Sequence, residues 1–206
     1  MKIDKSNKLK HAGFTLAEVL ITLGIIGVVS AITIPSLMTK IQKRQLETQI
    51  KANYSSIQQA IKFADYDDVS YDTGFKDADD ASMKNWFDTI LGKHLKVESL
   101  CINKAGCWHK GGIVKDLLGD GPLWSGNSDV GIGGNIITFR TAKGAYYNLN
   151  GYLDSHSYNY FGVKSSTKDV LVFYFDANGD RKPNRIGKDI YIMVWTDKGL
   201  VPAGKW

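Results

Sequence analysis

Residues 14–34 read FTLAEVLITLGIIGVVSAITI, with Glu18 the single charged residue in the run. The nineteen residues from Leu16 to Ile34 would form a helix of about 28 Å at ~1.5 Å per residue. That matches the hydrocarbon core of a bilayer, about 30 Å thick. A helix apolar on every face has no side to offer water, so a membrane span is expected rather than a surface helix. A carboxylate within hydrocarbon costs about 2.5–3.5 kcal/mol on insertion scales, so Glu18 calls for a partner. Two simpler readings stand beside this one. A secretory signal would use Lys2, Lys5, Lys8 and Lys10 as its basic region and Val29-Ser30-Ala31 as its cut site, but the apolar run is long for that purpose and holds an acid near its start. A plain anchor leaves Glu18 unexplained.

The residues around this acid carry a resemblance. Lys10-His11-Ala12-Gly13-Phe14-Thr15-Leu16-Ala17-Glu18 resembles the processing signal of type IV prepilins and type II secretion pseudopilins. In that family a short basic leader ends in Gly, here Gly13. A membrane-embedded prepilin peptidase cuts after it and methylates the new N-terminal residue, here Phe14. The fifth mature residue is Glu, and Glu18 is fifth when Phe14 is first. Many pilins have Pro at the twenty-second mature position, which Pro35 occupies. The resemblance implies that the freed amine of Phe14 pairs with the Glu18 of a neighbouring subunit, a cation meeting a carboxylate in low dielectric. It also implies a leader over 1–13, a transmembrane and assembly helix over 14–36 and a pilin-like head over 37–206. Lysines flank the apolar run on both sides, so charge counting does not orient it. The resemblance places the leader in the cytoplasm and the head outside it, with the chain a single-pass protein of the bacterial inner membrane before entering a pilus or pseudopilus. Its implied partners are other copies or related pilins, the prepilin peptidase and an inner-membrane assembly platform.

Charge placement agrees with a membrane-proximal N-terminal end. The net charge is +5, with +3 over residues 1–13, +3 over 14–62 and −1 over 63–206. The near-neutral remainder has no broad basic footprint, so nucleic acid is not an expected partner. Apolar residues make up 43% of the chain and charged residues 23%, enough for a folded core. Gly24, Gly27 and Pro35 interrupt the apolar helix. Pro35 removes the hydrogen bond to the Ala31 carbonyl. The resemblance implies local melting near it in an assembled filament; packing alone would also explain such residues.

Beyond Pro35, apolar residues from Leu37 through Ile41, Leu46, Ile50, Tyr54, Ile57 and Ile61 to Ala64 recur mostly three or four apart. This predicts an amphipathic continuation of the same helix. Residues 65–80 are rich in Asp and turn formers, read as a solvated linker. Met83, Trp86, Phe87, Ile90 and Leu91 predict a short helix capped by Asp79 or Asp80. Runs at 136–139 and 146–149 around Lys143-Gly144 predict a hairpin. Val170–Phe175 and Ile190–Trp195 are the strongest strands, and Leu200-Val201 a short edge piece. The expected class is α+β, pilin-like: a long N-terminal helix, membrane-spanning in its first half, packed on a C-terminal antiparallel sheet. The aromatics Tyr146, Tyr147, Tyr152, Tyr158, Tyr160 and Phe161 suit strand packing more readily than a binding surface.

Two features bear on chemistry. With the head outside the cytoplasm, Cys101 and Cys107 read as a disulfide; a catalytic or metal-binding pair would need a CxxC spacing or more ligands than His109 alone. In the loop between the two strongest strands, Asp176, Asn178 and Asp180 alternate like the first ligands of calcium loops, with Asp189 at its far end. The position of an EF-hand's bidentate Glu holds Gly187, and basic residues, Arg181, Lys182, Arg185 and Lys188, lie inside the loop. The region resembles the calcium-binding C-terminal loop of major pseudopilins, so calcium is the one cofactor considered, against a plain hairpin connection. No HExxH, GxSxG, GxxxxGK or spaced His/Cys set appears. The chain is therefore expected not to be an enzyme, a membrane-tethered extracytoplasmic enzyme being the rival reading.

Overall fold

The computed structural model describes residues 13–67, 79–119, 121, 131–133, 135–152, 161–163, 170–196 and 199–203. Helix α1 spans Leu16–Tyr66. Helix α2, Asp80–Phe87, runs into a π-helical turn at Asp88–Gly92. Six strands follow: β1 Val97–Ile102, β2 Ile136–Thr141, β3 Tyr146–Tyr152, β4 Val170–Asp176, β5 Ile190–Thr196 and β6 Gly199–Pro202. They form one antiparallel sheet in the order β1-β2-β3-β4-β5-β6, each strand paired with its chain neighbours. The layout is the expected α+β, pilin-like one. The chain divides into two compact units, Met1–Gln45 and Leu46–Trp206, so the boundary lies about nine residues beyond the end of the expected assembly helix at 36.

In the first unit, α1 is long and apolar enough to cross a membrane, and none of its apolar window is buried. Leu20, Ile25 and Ile32 are each exposed by 60% or more. The helix continues through Pro35. Hydroxyls nearby bond back along it: Thr33 Oγ1 to the Val29 carbonyl at 2.9 Å and Thr39 Oγ1 to that of Pro35 at 3.0 Å. This lets polar side chains sit in an apolar run without unmet donors.

In the second unit, the sheet is apolar on both faces. Ile137 and Phe139 of β2, Tyr147 and Leu149 of β3, Phe173 and Phe175 of β4, and Met193 and Trp195 of β5 share a core with Ile57, Ala60, Ile61 and Ala64 of α1 and with α2. Their alternate neighbours, Val172 and Tyr174 of β4 and Ile190, Ile192 and Val194 of β5, join Trp108, Val114, Phe161 and Val163 in a second core. Burial on both sides explains why β4 and β5 read as unbroken apolar runs rather than alternating ones. The Phe139 and Tyr147 rings stack at 4.6 Å, and Phe87 meets Phe139 edge-on at 5.0 Å. At the far edge, Tyr54 Oη donates to the Leu200 carbonyl at 2.9 Å, and Gln58 Nε2 donates to the same oxygen at 2.9 Å.

The hairpin over Lys143-Gly144 is present, with Gly144 at φ 81° and its N–H donating to the Thr141 carbonyl at 2.8 Å. Asp79 is the α2 cap: its Oδ1 accepts from the Ser82 N–H at 2.7 Å, which holds the carboxyl below the usual range. Strand β1 was not expected. Its sequence, VESLCI, has adjacent polar residues Glu98 and Ser99 that break any alternation, and it becomes a strand by pairing with β2 from Val97 to Ile102 with a bulge between Val97 and Ser99. Of the aromatic stretch, Tyr146, Tyr147 and Phe161 are buried in the two cores, while the side chains of Tyr152, Tyr158 and Tyr160 lie outside the described residues, as do Asp68, Asp72 and Asp77 of the acidic segment.

Phe139→Ala, deep in the inner core, should lower unfolding free energy by about 3–5 kcal/mol, measured by urea titration of the full chain in detergent. Leu118→Ala, at a side chain 74% exposed, should shift it by less than about 0.5 kcal/mol.

Candidate functional site

Gly13 precedes the helix, and a Cβ built on it would meet nothing within 4 Å. Phe14 is 89% exposed. The bond between them therefore lies in an open segment just outside α1, the kind of backbone a peptidase can take in extended form. Thr15 is the residue before the helix. Its N–H and its hydroxyl each donate to Glu18 Oε2 at 2.8 Å, and its hydroxyl accepts from the Glu18 N–H at 3.3 Å. This reciprocal pair is a capping box: two unsatisfied donors at the helix start are met, and the carboxylate is turned back toward the N-terminal end, where the helix dipole favours negative charge. The spacing T-x-x-E signals such a box, a role within the chain beside the intermolecular one that the resemblance implies for Glu18. Residues 1–12, including the basic leader, lie outside the described residues.

Cys101 and Cys107 are bonded, with an S–S distance of 2.03 Å and Cα atoms 5.7 Å apart, as expected. Cys101 lies in β1 and Cys107 in the irregular segment after it, next to buried Trp108 and His109.

The β4–β5 loop is built around two buried carboxylates. Asp176 Oδ1 accepts from the N–H groups of Asn178 and Gly179, both at 2.9 Å. Asp189 accepts from Asn184 N–H at 2.9 Å and Arg185 N–H at 2.8 Å. Gly179 must be glycine: its φ is +65°, and a Cβ would stand 2.6 Å from the Gly144 carbonyl oxygen. The second oxygen of Asp176 meets His109 Nε2 at 3.0 Å. Burial pushes the Asp176 carboxyl up, opposed by the hydrogen bonds from His109 and Asn178. Asp180 is mostly exposed; its Oδ1 lies 4.0 Å from His109 Nδ1, and its Oδ2 accepts from Tyr146 Oη at 2.6 Å. Burial and this bond push the Tyr146 phenol up to about 12. The Arg140 guanidinium covers the Tyr146 ring at 4.2 Å.

Asp176 and Asp189 give their oxygens to loop N–H groups, Asp180 turns to Tyr146, and the Asn178 side-chain oxygen has no hydrogen-bond partner. Among the described residues, no group of three or more His, Cys, Asp or Glu side chains is placed to hold a metal ion. His109, set aside in the sequence for want of neighbours, is instead the partner of Asp176. Nothing in the sequence signals that pairing across 67 positions. A cleft of about 370 Å³ in the second unit is lined by apolar side chains such as Ile50, Leu117, Ile186 and Met193, together with Lys51, Tyr54 and Tyr191.

Residues 8–34 match the family described as the prokaryotic N-terminal methylation motif. No curated protein and no solved structure matches the chain. The chain therefore carries the prepilin signal of type IV pilins and pseudopilins, of a substrate that is cleaved and methylated, followed by a helix fit to anchor it in a membrane.

Thr15→Ala should loosen the first turn of α1 by about 1 kcal/mol, seen as faster amide exchange at residues 16–18 in detergent micelles; Thr15→Ser should retain wild-type exchange.

Proposed function

We propose that this prepilin-type chain is a structural subunit of a type IV pilus-like or type II secretion pseudopilus filament. It is made as an inner-membrane precursor, cut between Gly13 and Phe14 by the prepilin peptidase and N-methylated on Phe14. The observation that carries this reading is the motif over residues 8–34 joined to an apolar, unburied helix with one carboxylate at its start. The peptidase creates a free amine at Phe14. The capping box holds Glu18 toward that end of the helix, so the carboxylate is presented at the depth where an amine of a neighbouring copy would arrive. Methylation keeps the amine basic and adds apolar surface. Pro35 leaves the Ala31 carbonyl without an intrahelical donor, a place for the helix to extend as subunits slide into register. The chemistry is done to the chain and not by it: the buried polar groups brace the β4–β5 loop, and the cleft is walled mainly by apolar side chains.

The disulfide supports a head outside the cytoplasm, where thiols oxidise and stay oxidised. The partners are further copies or related pilins and an inner-membrane assembly platform. The loop carboxylates are met by the chain's own N–H groups and by His109, which favours a filament head that is rigid without calcium.

Intact mass of protein extracted from membranes tests the reading. The expected product lacks residues 1–13 and carries one added methyl group. Loss through Ala31, or a retained leader, would overturn it. Glu18→Ala should leave cleavage intact while incorporation into sheared filaments falls at least tenfold; undiminished incorporation would remove Glu18 from assembly.

A further inference from the structure

The buried polar cluster on the outer face of the sheet joins two elements that no single motif connects. Asp176 ends β4 and Asp189 precedes β5, and both are fully buried. Each gathers loop N–H groups, and the charge of Asp189 bears on Asp176. A buried carboxylate with a second one nearby needs a donor on its remaining oxygen. That donor is His109, with a side chain 2% exposed.

His109 belongs to neither strand of the hairpin. It lies on the irregular segment after β1, two residues past Cys107. Returning the chain from β1 to this place takes two left-handed residues, Asn103 at φ 49° and Gly106 at φ 125°, a path an open chain adopts poorly. The disulfide fixes the return. Between the ties that pin its two ends, Ile136 N–H to Asn103 Oδ1 at 3.0 Å and Lys115 N–H to the Asn184 carbonyl at 2.9 Å, the stretch around His109 has long hydrogen bonds from the Arg140 guanidinium to the carbonyls of Cys107 and Trp108, 3.4 Å each. Trp108 is buried beside the imidazole, the two rings 4.9 Å apart, so it follows wherever the segment is held.

We propose that Cys101–Cys107 and His109 act as one device: forming the disulfide delivers the imidazole to Asp176, and the order of the loop from Asp176 to Asp189 depends on the oxidation state of the two cysteines. Oxidation is a thiol–disulfide exchange with a protein or small-molecule disulfide. The two cysteine thiols give up two protons and two electrons, the Sγ–Sγ bond forms, and the oxidant's disulfide opens to a dithiol. A dithiol reductant runs the step backward. His109 is a positioning residue for the loop, and the cysteines position His109. If the head matures outside the cytoplasm, as proposed above, the loop rigidifies only in the compartment where subunits assemble. The coupling itself does not need that reading.

Coupling is reciprocal, which gives the experiment two arms on the full-length chain in detergent. In the first, hydrogen exchange is followed over residues 176–189 in wild type, the Cys101→Ser/Cys107→Ser double variant, His109→Ala, and all three changes together. The double variant and His109→Ala should each speed exchange at Asn178, Gly179, Asn184 and Arg185 at least tenfold, and the triple variant no further. Unchanged exchange in the double variant, or additive effects, would overturn the proposal. In the second arm, the disulfide is equilibrated against dithiothreitol buffers. His109→Ala should make Cys101–Cys107 about tenfold easier to reduce, a shift of about 30 mV, with His109→Gln recovering part of it. An unshifted midpoint would overturn the proposal even where the cysteine variants fail to fold. Both arms read the purified chain whether or not it is cleaved after Gly13, so their failure leaves the processing test standing.

Discussion

The six-stranded sheet must keep both of its faces dry, and the second unit is organised to meet that demand. One face is closed by α1 and α2. Ala60 and Ala64 of α1 are small enough to bring the helix close, while Ile57 and Ile61 fill the space between the aromatic side chains of β2, β3 and β4. Among the described residues no helix closes the other face. Irregular chain does it, through Trp108, Val114, Phe161 and Val163. Irregular chain brings unpaired backbone and polar side chains with it, and these must find partners once they leave water. The polar cluster of His109, Tyr146, Asp176 and Asp180 follows from covering a sheet with loops.

That requirement also accounts for the place of the disulfide. A helix on a sheet is held by a long apolar stripe. A loop on a sheet is held by few contacts, so one covalent tie at its root matters more. The Cys101–Cys107 bond lies where the chain leaves β1 to begin its crossing. A closed loop of this size is worth about 2 kcal/mol by chain entropy. Strand register sets Arg140 of β2 over its partner Tyr146 of β3, whose phenol meets Asp180, so polar groups of β2, β3 and the β4–β5 connection share one neighbourhood.

The first unit obeys a different rule. Its helix leaves its apolar side chains without a protein partner, so the surroundings that satisfy it are lipid or other helices. The capping box at Thr15 and Glu18 is a local solution to the polar start of such a helix: four N–H groups lack intrahelical partners, and the two side chains of the box meet two of them. A carboxylate held there is also positioned to receive an ammonium from outside the chain.

The apolar run, the register of Gly13, Phe14, Glu18 and Pro35, the amphipathic stretch that ends near Ala64, the α2 cap and five of the six strands are all written in local sequence, because period, cap chemistry and turn residues act over a few positions. The capping box was equally legible in T-x-x-E. Strand β1 was not: Glu98 and Ser99 stand side by side and break its alternation, and only the pairing with β2 makes it a strand. The partner of Asp176 was least legible of all. Asp176, Asn178 and Asp180 share a spacing with calcium ligands, but spacing along a chain does not say where a carboxylate's lone pairs point. That depended on the path of the segment after Cys101, which folds a histidine 67 positions away onto the sheet, and only packing two faces of one sheet could decide it.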